Sequence, residues 1–199
     1  MGSLGNVFVT GTDTDVGKSV ASAWLLNRFG GDYWKPIQSG LSGVTDVEFV
    51  MGLSGLTADR VHPSTFNLTE PLSPHASARL DGVSINLEDF SLPSSNNSLV
   101  VEGAGGLMVP LNKKEFIVDL IELLSLPVVL VVRSGLGTIN HTLLSLMLLR
   151  QRGIEIAGVI MNGSLNRGNR EAIIEYGKVD IIAEIPILDP LTKEKLAKV

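Results

Sequence analysis

The sequence predicts an α/β fold in which a mostly parallel central sheet is covered by helices on both faces, giving three layers. Two observations predict it. Apolar strand-like runs alternate with helical patterns along the 199 residues, which is typical of parallel sheets. The first of these runs leads through a glycine-containing loop into a helix, an arrangement that open α/β sheets use to bind ligands.

Six strands are predicted, at 6–10, 33–37, 99–102, 128–133, 156–161 and 180–185. Helices are predicted at 17–29, 44–53, 75–80, 116–125, 139–152 and 169–176, with a short one after Pro190. The run 128–132 is β-branched and lacks polar alternation, so we expect a central strand buried on both faces. The Ser-, Asn- and Pro-rich stretch 91–98 is typical of a surface loop. It is not a domain boundary, because strands with the same apolar pattern lie on both sides of it. We therefore expect residues 1–199 to form a single domain.

The composition excludes several classes of protein. The chain has no Cys, so no disulfide or zinc-thiolate scaffold can form. A net charge of −5 without long runs of like charge argues against nucleic acid and anionic membranes as partners. The apolar runs are shorter than the roughly 20 residues that span a bilayer, and the N-terminus does not have the pattern of a signal peptide. A cytoplasmic location is expected.

The segment 7–19 has the chemistry of a phosphate-binding loop. An apolar strand is followed by Gly11 and then by Gly17, Lys18 and Ser19, which open a helix. Backbone N–H groups at the helix start attract an anion, Lys18 adds positive charge, and the Ser19 hydroxyl can bind Mg²⁺. Gly11 lies one residue earlier than the general motif requires. The strand–loop–helix context nevertheless favours a phosphate-binding loop over an ordinary loop that leads into a capped helix. The fold it indicates is like that of P-loop NTPases, which is Rossmann-like.

Polar groups also follow other predicted strands, at the edge where open α/β sheets bind ligands. Glu102 ends an apolar strand and precedes three glycines within four residues. It is either a solvated acid or a ligand for a hard cation such as Mg²⁺. Asp46 follows Thr45 ahead of a helix, where a cap is the ordinary interpretation. Lys35 at a strand end, and Asn162 with Gly163 after another strand, are equally ambiguous on their own.

Five segments together resemble the dethiobiotin synthetase family in order and spacing. They are 11–19 (GTDTDVGKS), 35–40 (KPIQSG), 70–75 (EPLSPH), 101–107 (VEGAGGL) and 137–141 (GTINH). The resemblance extends over most of the chain and is weakest at 42–61, at 81–98 and after Asp189. The early Gly11 is also a feature of that family.

The resemblance implies an ATP-dependent ring closure in biotin synthesis. 7,8-Diaminopelargonate, CO2 and ATP would give dethiobiotin, ADP and phosphate through a carbamate and a carbamic–phosphoric anhydride. The protein would contribute mainly positioning and electrostatic stabilisation of the gathered negative charge. ATP would be the co-substrate and Mg²⁺ the cofactor.

Residue roles follow from matching positions. Lys35 resembles the active-site lysine and Lys18 the lysine that holds the β- and γ-phosphates, so these two are the candidate catalytic residues. The candidate Mg²⁺ ligands are Ser19, Asp46 and Glu102. The candidate ATP-binding residues are Asp15, Val16, Gly17, Lys18, Ser19, Val20, Asp46, Glu102, Gly103, Ala104, Gly105, Asn162, Gly163, Pro186, Ile187 and Leu188. The candidate substrate residues are Thr14, Lys35, Ser39, Gly106, Gly137, Thr138, Ile139 and Asn140.

The helix that begins near Gly137 carries a second expectation. In the family this helix end belongs to the neighbouring subunit and binds the carboxylate tail of the substrate, so the resemblance implies a homodimer that shares its substrate site. The helix is apolar nearly all round and must be covered on more than one side. Packing in the protein's own core is the alternative explanation for most of that run.

Three other functions compete with this interpretation. A partition or septum-positioning ATPase switch normally carries an additional lysine early in the loop, where this chain has Asp13. Another P-loop amidoligase, or a cobalamin-pathway synthase, does not account for Lys35 and Pro36 followed by Ser39 and Gly40. A nucleotide-binding module without catalysis would not need Lys35, Ser39 and Asn140.

Overall fold

A parallel seven-stranded sheet forms the centre of residues 5–199, the part of the chain described by a computed structural model. The nine strands in this part of the chain are β1 (Val7–Gly11), β2 (Asp32–Trp34), β3 (Ile37–Ser39), β4 (Val61–His62), β5 (Phe66–Leu68), β6 (Leu99–Gly106), β7 (Val128–Arg133), β8 (Ile156–Asn162) and β9 (Ile181–Ile185). The order in the main sheet is β4-β2-β6-β1-β7-β8-β9, and β3 pairs with β5 in a separate two-stranded sheet. The predicted fold class is confirmed.

Helices cover both faces of the main sheet. The seven α-helices described are α1 (Lys18–Phe29), α2 (Asp46–Ser54), α3 (Pro74–Leu80), α4 (Ile117–Leu124), α5 (Thr138–Gln151), α6 (Arg167–Gly177) and α7 (Lys193–Leu196). Side chains of α1, α2 and α7 belong to one apolar core, and those of α3 to α6 belong to the other. At 14 residues α5 is the longest of these helices, and none of the helices described is long and apolar enough to cross a membrane.

The side chains of β7 alternate between the two cores. Val128, Leu130 and Val132 face one core, whereas Val129 and Val131 face the other. All five are fully buried, because successive side chains of a strand point to opposite faces and both faces here are covered by helices. The predicted strand is confirmed, and it lies inside the sheet between β1 and β8.

The predicted strand at 33–37 is wrong as a single element. The chain leaves the main sheet after Trp34, and β3 begins at Ile37 and pairs with β5. Pro36 lies between the two strands and has no N–H to continue the ladder. Strands β4 and β5, of two and three residues, are too short to show a period, so neither was predicted. His62 lies in β4 at the sheet edge.

The other predicted boundaries agree with the structure to within two residues, except that β6 continues past Glu102 to Gly106. This extension carries the glycine-rich segment to the edge of the sheet where the loop after β1 also emerges. Gly106 is in register with Gly11 across the β1–β6 pair. That a single domain spans residues 1–199 stays a prediction, and residues 1–4 lie outside the part described.

Candidate active site

The loop between β1 and α1 presents backbone donors at a helix start. Gly17 is the N-cap residue of α1 with a φ of 94°, and no side chain caps the helix there. A side chain at position 17 would also overlap the amide of Asn162. The first turn of α1 contains no acidic residue. The N–H groups of this turn are therefore available to an anion, with the positive end of the helix dipole behind them.

Lys18 lies at the same helix start and is 8% exposed. Its Nζ donates to the backbone carbonyl of Asp13 at 3.0 Å. The Asp13 carboxylate in turn pairs with Arg133 at the end of β7, at 2.6 Å. Burial, together with the positive charge of Lys35, lowers the pKa of Lys18 below its ordinary value. An anion bound beside Lys18 would counter both effects, so the position suits a phosphate group.

Four side chains from four parts of the chain meet beside this loop. The hydroxyl oxygen of Ser19 lies 2.8 Å from Glu102 Oε1 and 3.1 Å from Asp46 Oδ1. Nζ of Lys35 lies 3.0 Å from the same Oε1 and 2.8 Å from Asp46 Oδ2. The three candidate Mg²⁺ ligands and the candidate active-site lysine are thus brought together by the fold.

Asp46 reaches this cluster because α2 begins with it. Thr45 is the N-cap residue, and its side chain and that of Glu48 form a capping box with each other's backbone N–H groups. The capping interpretation is therefore correct for Thr45. Asp46, the next residue, instead turns its carboxylate towards Ser19 and Lys35.

The charges of Lys35 and Asp46 stabilise each other. Burial alone would lower the pKa of Lys35, which is 3% exposed, but the Glu102 and Asp46 carboxylates outweigh it and raise the pKa. Burial would raise the pKa of Asp46, but Lys35 and the Ser19 hydroxyl lower it below its usual value. At neutral pH Lys35 is therefore an ammonium ion and Asp46 a carboxylate.

Sequence reasoning missed two hydroxyl groups of this cluster. Ser22 donates to Glu102 Oε2 at 2.7 Å, and the Tyr33 hydroxyl donates to the same oxygen at 3.0 Å. Burial and the negative charge of Glu102 raise the pKa of Tyr33 well above its ordinary value, so the phenol stays protonated. The spacing of these residues could have indicated them. Ser22 lies one helical turn after Ser19, and Tyr33 lies two residues before Lys35 in extended chain, so each shares a face with a predicted site residue.

A cavity of about 640 Å³ opens above the cluster. Residues of the sequence-based prediction that line it are Thr14, Asp15, Gly17, Lys18, Ser19, Val20, Lys35, Ser39, Asp46, Glu102, Ala104 and Gly105. Other lining residues were not predicted, and they include Val44 and Phe49 near α2 and Leu72 and Pro74 near α3. The hydroxyl of Ser39 is buried without a hydrogen-bond partner within the described chain, which indicates a place for a polar ligand atom.

Several predicted nucleotide-side residues lie next to the loop rather than on this cavity. Nδ2 of Asn162 donates to the Val16 carbonyl at 3.1 Å, which ties the end of β8 to the phosphate loop. Gly163 donates its N–H to the carbonyl of Ile185 at the end of β9, at 2.9 Å. Residues 186–188 follow directly. Gly103 and Gly106 also lie off the cavity, with Gly103 against Phe8 and Gly106 against the backbone of Gly11.

The start of α5 is separate from the main cavity. None of Gly137, Thr138, Ile139 and Asn140 lines it. Thr138 lines instead a second cavity of about 330 Å³, together with Arg133 and other residues around the β7–α5 loop. Within one copy of the chain, these four predicted substrate residues are not brought to the Lys35 cluster.

Comparisons with known proteins show which family the chain belongs to. The family described as "AAA domain" matches residues 5–195. The chain is 52% identical to the ATP-dependent dethiobiotin synthetase BioD of Paramagnetospirillum magneticum over 96% of this chain and 92% of that protein. It is 48% identical to the protein of the same name from Bradyrhizobium diazoefficiens, over 96% and 90% of the two chains.

Similar solved structures have lower identity and support the fold alone. A ParA family ATPase from Chlorobium tepidum superposes with a TM-score of 0.59 at 17% identity, covering 98% of this chain and 91% of that one. A nucleotide-binding protein from Archaeoglobus fulgidus, in complex with ADP, superposes with a TM-score of 0.55 at 12% identity, covering 97% and 85%. From the extent and identity of the sequence matches, the chain belongs to the ATP-dependent dethiobiotin synthetase family.

Proposed function

We propose that the 640 Å³ cavity is where this chain performs the reaction of its family. In that reaction 7,8-diaminopelargonate, CO2 and ATP give dethiobiotin, ADP and phosphate. The observation that carries the proposal is the meeting of Ser19, Lys35, Asp46 and Glu102 beside an open helix start. Such a site gathers positive charge and metal-binding oxygens around phosphate, which phosphoryl transfer requires.

ATP is proposed to bind along the loop between β1 and α1. The N–H groups of residues 15–20 and the Lys18 ammonium would hold the phosphates, with the segment 103–105 closing the other side. Asn162 and Gly163 at the end of β8, and Pro186, Ile187 and Leu188 after β9, would contact the adenine. The location of Asn162 supports this assignment, because its side chain donates a hydrogen bond to the Val16 carbonyl in the phosphate loop. The base would therefore lie beyond the phosphates along the sheet edge.

Lys35 is proposed to stabilise negative charge on the reacting groups. An amine of the substrate takes up CO2 to give a carbamate, whose oxygen attacks the γ-phosphorus of ATP and displaces ADP. The second amine then attacks the carbamoyl carbon, closes the ring and expels phosphate. Lys35 is buried and held between two carboxylates, so its ammonium is oriented before substrate arrives. No nucleophilic side chain is required.

A Mg²⁺ ion fits the oxygens of Ser19, Asp46 and Glu102. Mg²⁺ prefers oxygen ligands and takes one or two carboxylates, with phosphates and water completing its octahedron. The two carboxylates and the hydroxyl meet that preference. Among residues 5–199 there is no cluster of three or more His, Cys, Asp or Glu side chains that could hold a metal ion by itself. Bound there, the ion would neutralise phosphate charge. The chain's own contribution is to hold one oxygen of Asp46 and one oxygen of Glu102 each within 3.1 Å of the Ser19 hydroxyl oxygen.

The diamine is proposed to bind near Thr14, Lys35 and Ser39, which line the cavity, whereas Gly106, also predicted to contact it, lies off the cavity. Support comes from the Ser39 hydroxyl, which is buried without a partner at the cavity edge. An amine or carbamate group of the substrate would satisfy it. Thr14, on the phosphate loop, lines the same cavity.

A product assay tests the proposed function. We expect dethiobiotin, detected by mass spectrometry, when the protein is incubated with ATP, MgCl2, bicarbonate and 7,8-diaminopelargonate. Phosphate release should depend on the diamine, because the attacking carbamate forms on it. ATP hydrolysis that proceeds without the diamine and yields no dethiobiotin would contradict the proposal and favour an ATPase switch.

The complete substrate site is proposed to need a second copy of the chain. The start of α5, with Gly137, Thr138, Ile139 and Asn140, lies away from the Lys35 cavity of its own copy. Leu144 and Met147 are exposed on this helix three residues apart, which places them on one face, and Leu136 is exposed in the loop just before it. An exposed apolar face of this kind favours a protein interface. A partner's α5 start would then bind the substrate's carboxylate with its N–H groups.

Oligomeric state tests this proposal. We expect light scattering to give the mass of a homodimer, and Met147→Glu to give monomers with little activity, because a charge would be buried in the interface. Leu80→Glu is the matched control, since Leu80 is equally exposed but lies on α3, away from α5. A wild-type protein that is monomeric and fully active would rule out the shared site.

A further inference from the structure

The two carboxylate oxygens of Glu102 have different surroundings. Oε1 lies towards the cavity, next to the Ser19 hydroxyl and the Lys35 ammonium. Oε2 accepts hydrogen bonds from Ser22 at 2.7 Å and from Tyr33 at 3.0 Å. One oxygen therefore meets the groups proposed to bind ATP and metal, and the other meets only neutral hydroxyl donors.

The hydroxyl groups around Oε2 are held rigidly. Ser22 and Tyr33 have no exposed surface, and they come from α1 and β2, while Glu102 comes from β6. The Tyr33 ring packs in the core between the sheet and helices α1, α2 and α7. Because the ring cannot move without disturbing that core, its hydroxyl oxygen has a fixed position beside Glu102 Oε2.

We propose that Tyr33 and Ser22 are positioning residues that hold Glu102 so that it offers a single oxygen, Oε1, to the metal ion of the nucleotide complex. This inference rests on the proposed function of the same site. Without the two donors, the carboxylate could rotate and offer both oxygens or neither. With them, Oε1 stays at a hydrogen-bond distance from Ser19, another candidate ligand, in the first turn of α1.

Two substitutions remove one donor each. Tyr33→Phe and Ser22→Ala leave every proposed ligand in place, so a loss of metal affinity would act through Glu102. We expect each to weaken Mn²⁺ binding in the presence of ADP about tenfold, as for one hydrogen bond to a charged group. The probe is Mn²⁺, titrated and followed by electron paramagnetic resonance. We expect kcat to fall by a similar factor while KM for the diamine stays unchanged.

The matched control is Tyr176→Phe, which removes the hydroxyl of a tyrosine exposed on α6. Thermal unfolding of each variant separates a local effect from loss of the fold. If Tyr33→Phe does not fold, Ser22→Ala alone tests the inference. A folded Tyr33→Phe or Ser22→Ala protein with wild-type Mn²⁺ affinity would overturn the inference.

A double-substitution cycle provides the second readout. If Tyr33 acts through the Glu102 carboxylate, Tyr33→Phe should weaken Mn²⁺ binding much less in a Glu102→Gln background than in the wild type. An equal loss in both backgrounds would mean that Tyr33 acts by another route. Failure of the proposed function is seen separately, because the wild-type protein would then bind Mn²⁺ with ADP but form no dethiobiotin.

Discussion

Replacing Lys35 with Ala is expected to lower turnover by at least roughly a hundredfold, the scale for loss of one preorganised charge in an active site. The ammonium lies between Glu102 and Asp46 and faces the cavity. Its loss would leave the developing charge on the carbamate and the transferring phosphoryl group without a fixed counter-charge. Initial rates of dethiobiotin formation measure the effect.

Two further variants make the Lys35 result specific. Lys35→Gln keeps a long side chain with a hydrogen-bond donor but removes the charge, so we expect nearly the same loss. Lys113→Ala removes an exposed lysine outside the site and should leave turnover unchanged. Circular dichroism would establish that all variants fold. A Lys35→Gln enzyme with near wild-type turnover would show that the charge of Lys35 is not what catalysis uses.

Replacing Lys18 with Ala is also expected to lower turnover at least roughly a hundredfold, but with a different signature. Lys18 stands at the start of α1, where the β- and γ-phosphates are proposed to lie, so ADP affinity should fall together with the rate. Lys35→Ala should leave ADP affinity nearly unchanged. Isothermal titration calorimetry with ADP distinguishes the two lysines, and equal ADP affinity in Lys18→Ala and wild type would contradict the phosphate role.

The pH dependence of nucleotide binding provides a second measure of Lys18. Burial and Lys35 lower the pKa of Lys18 in the free protein, and bound phosphate would raise it. The lysine therefore takes up a proton on binding when the pH is above its pKa in the free protein. ADP affinity should decline as the pH rises through that value, and this part of the decline should be missing in Lys18→Ala.

Much of the fold could be predicted because its signals are local. A strand covered on both faces needs a continuous apolar run, and 128–132 is such a run. The helix boundaries follow from short-range capping and turn chemistry, so most agree with the structure to within two residues. Short elements lack a period to detect. For this reason β3, β4 and β5 were missed as separate strands, and the run 33–37 was mistaken for one strand.

The site divides in the same way. The phosphate loop is one continuous segment, so its residue types and order predict its chemistry directly. Lys35, Asp46 and Glu102 are far apart in sequence, and each alone has an ordinary alternative explanation. The resemblance to a family supplied their roles, and those roles stay predictions. The structure adds the distances that place these three side chains in one cluster.

The sequence by itself determined the layered α/β architecture, the phosphate loop and the family, because these depend on local periodicity and on short motifs that are contiguous in the chain. Only the tertiary structure decided which groups touch. It placed Asp46 and Glu102 around Lys35, so that burial and opposite charge together determine the protonation of that lysine. It also brought Tyr33 and Ser22 to the far oxygen of Glu102. Such contacts depend on how β2, β6 and α1 pack, and the local spacing of Ser22 and Tyr33 does not identify Glu102 as their shared partner.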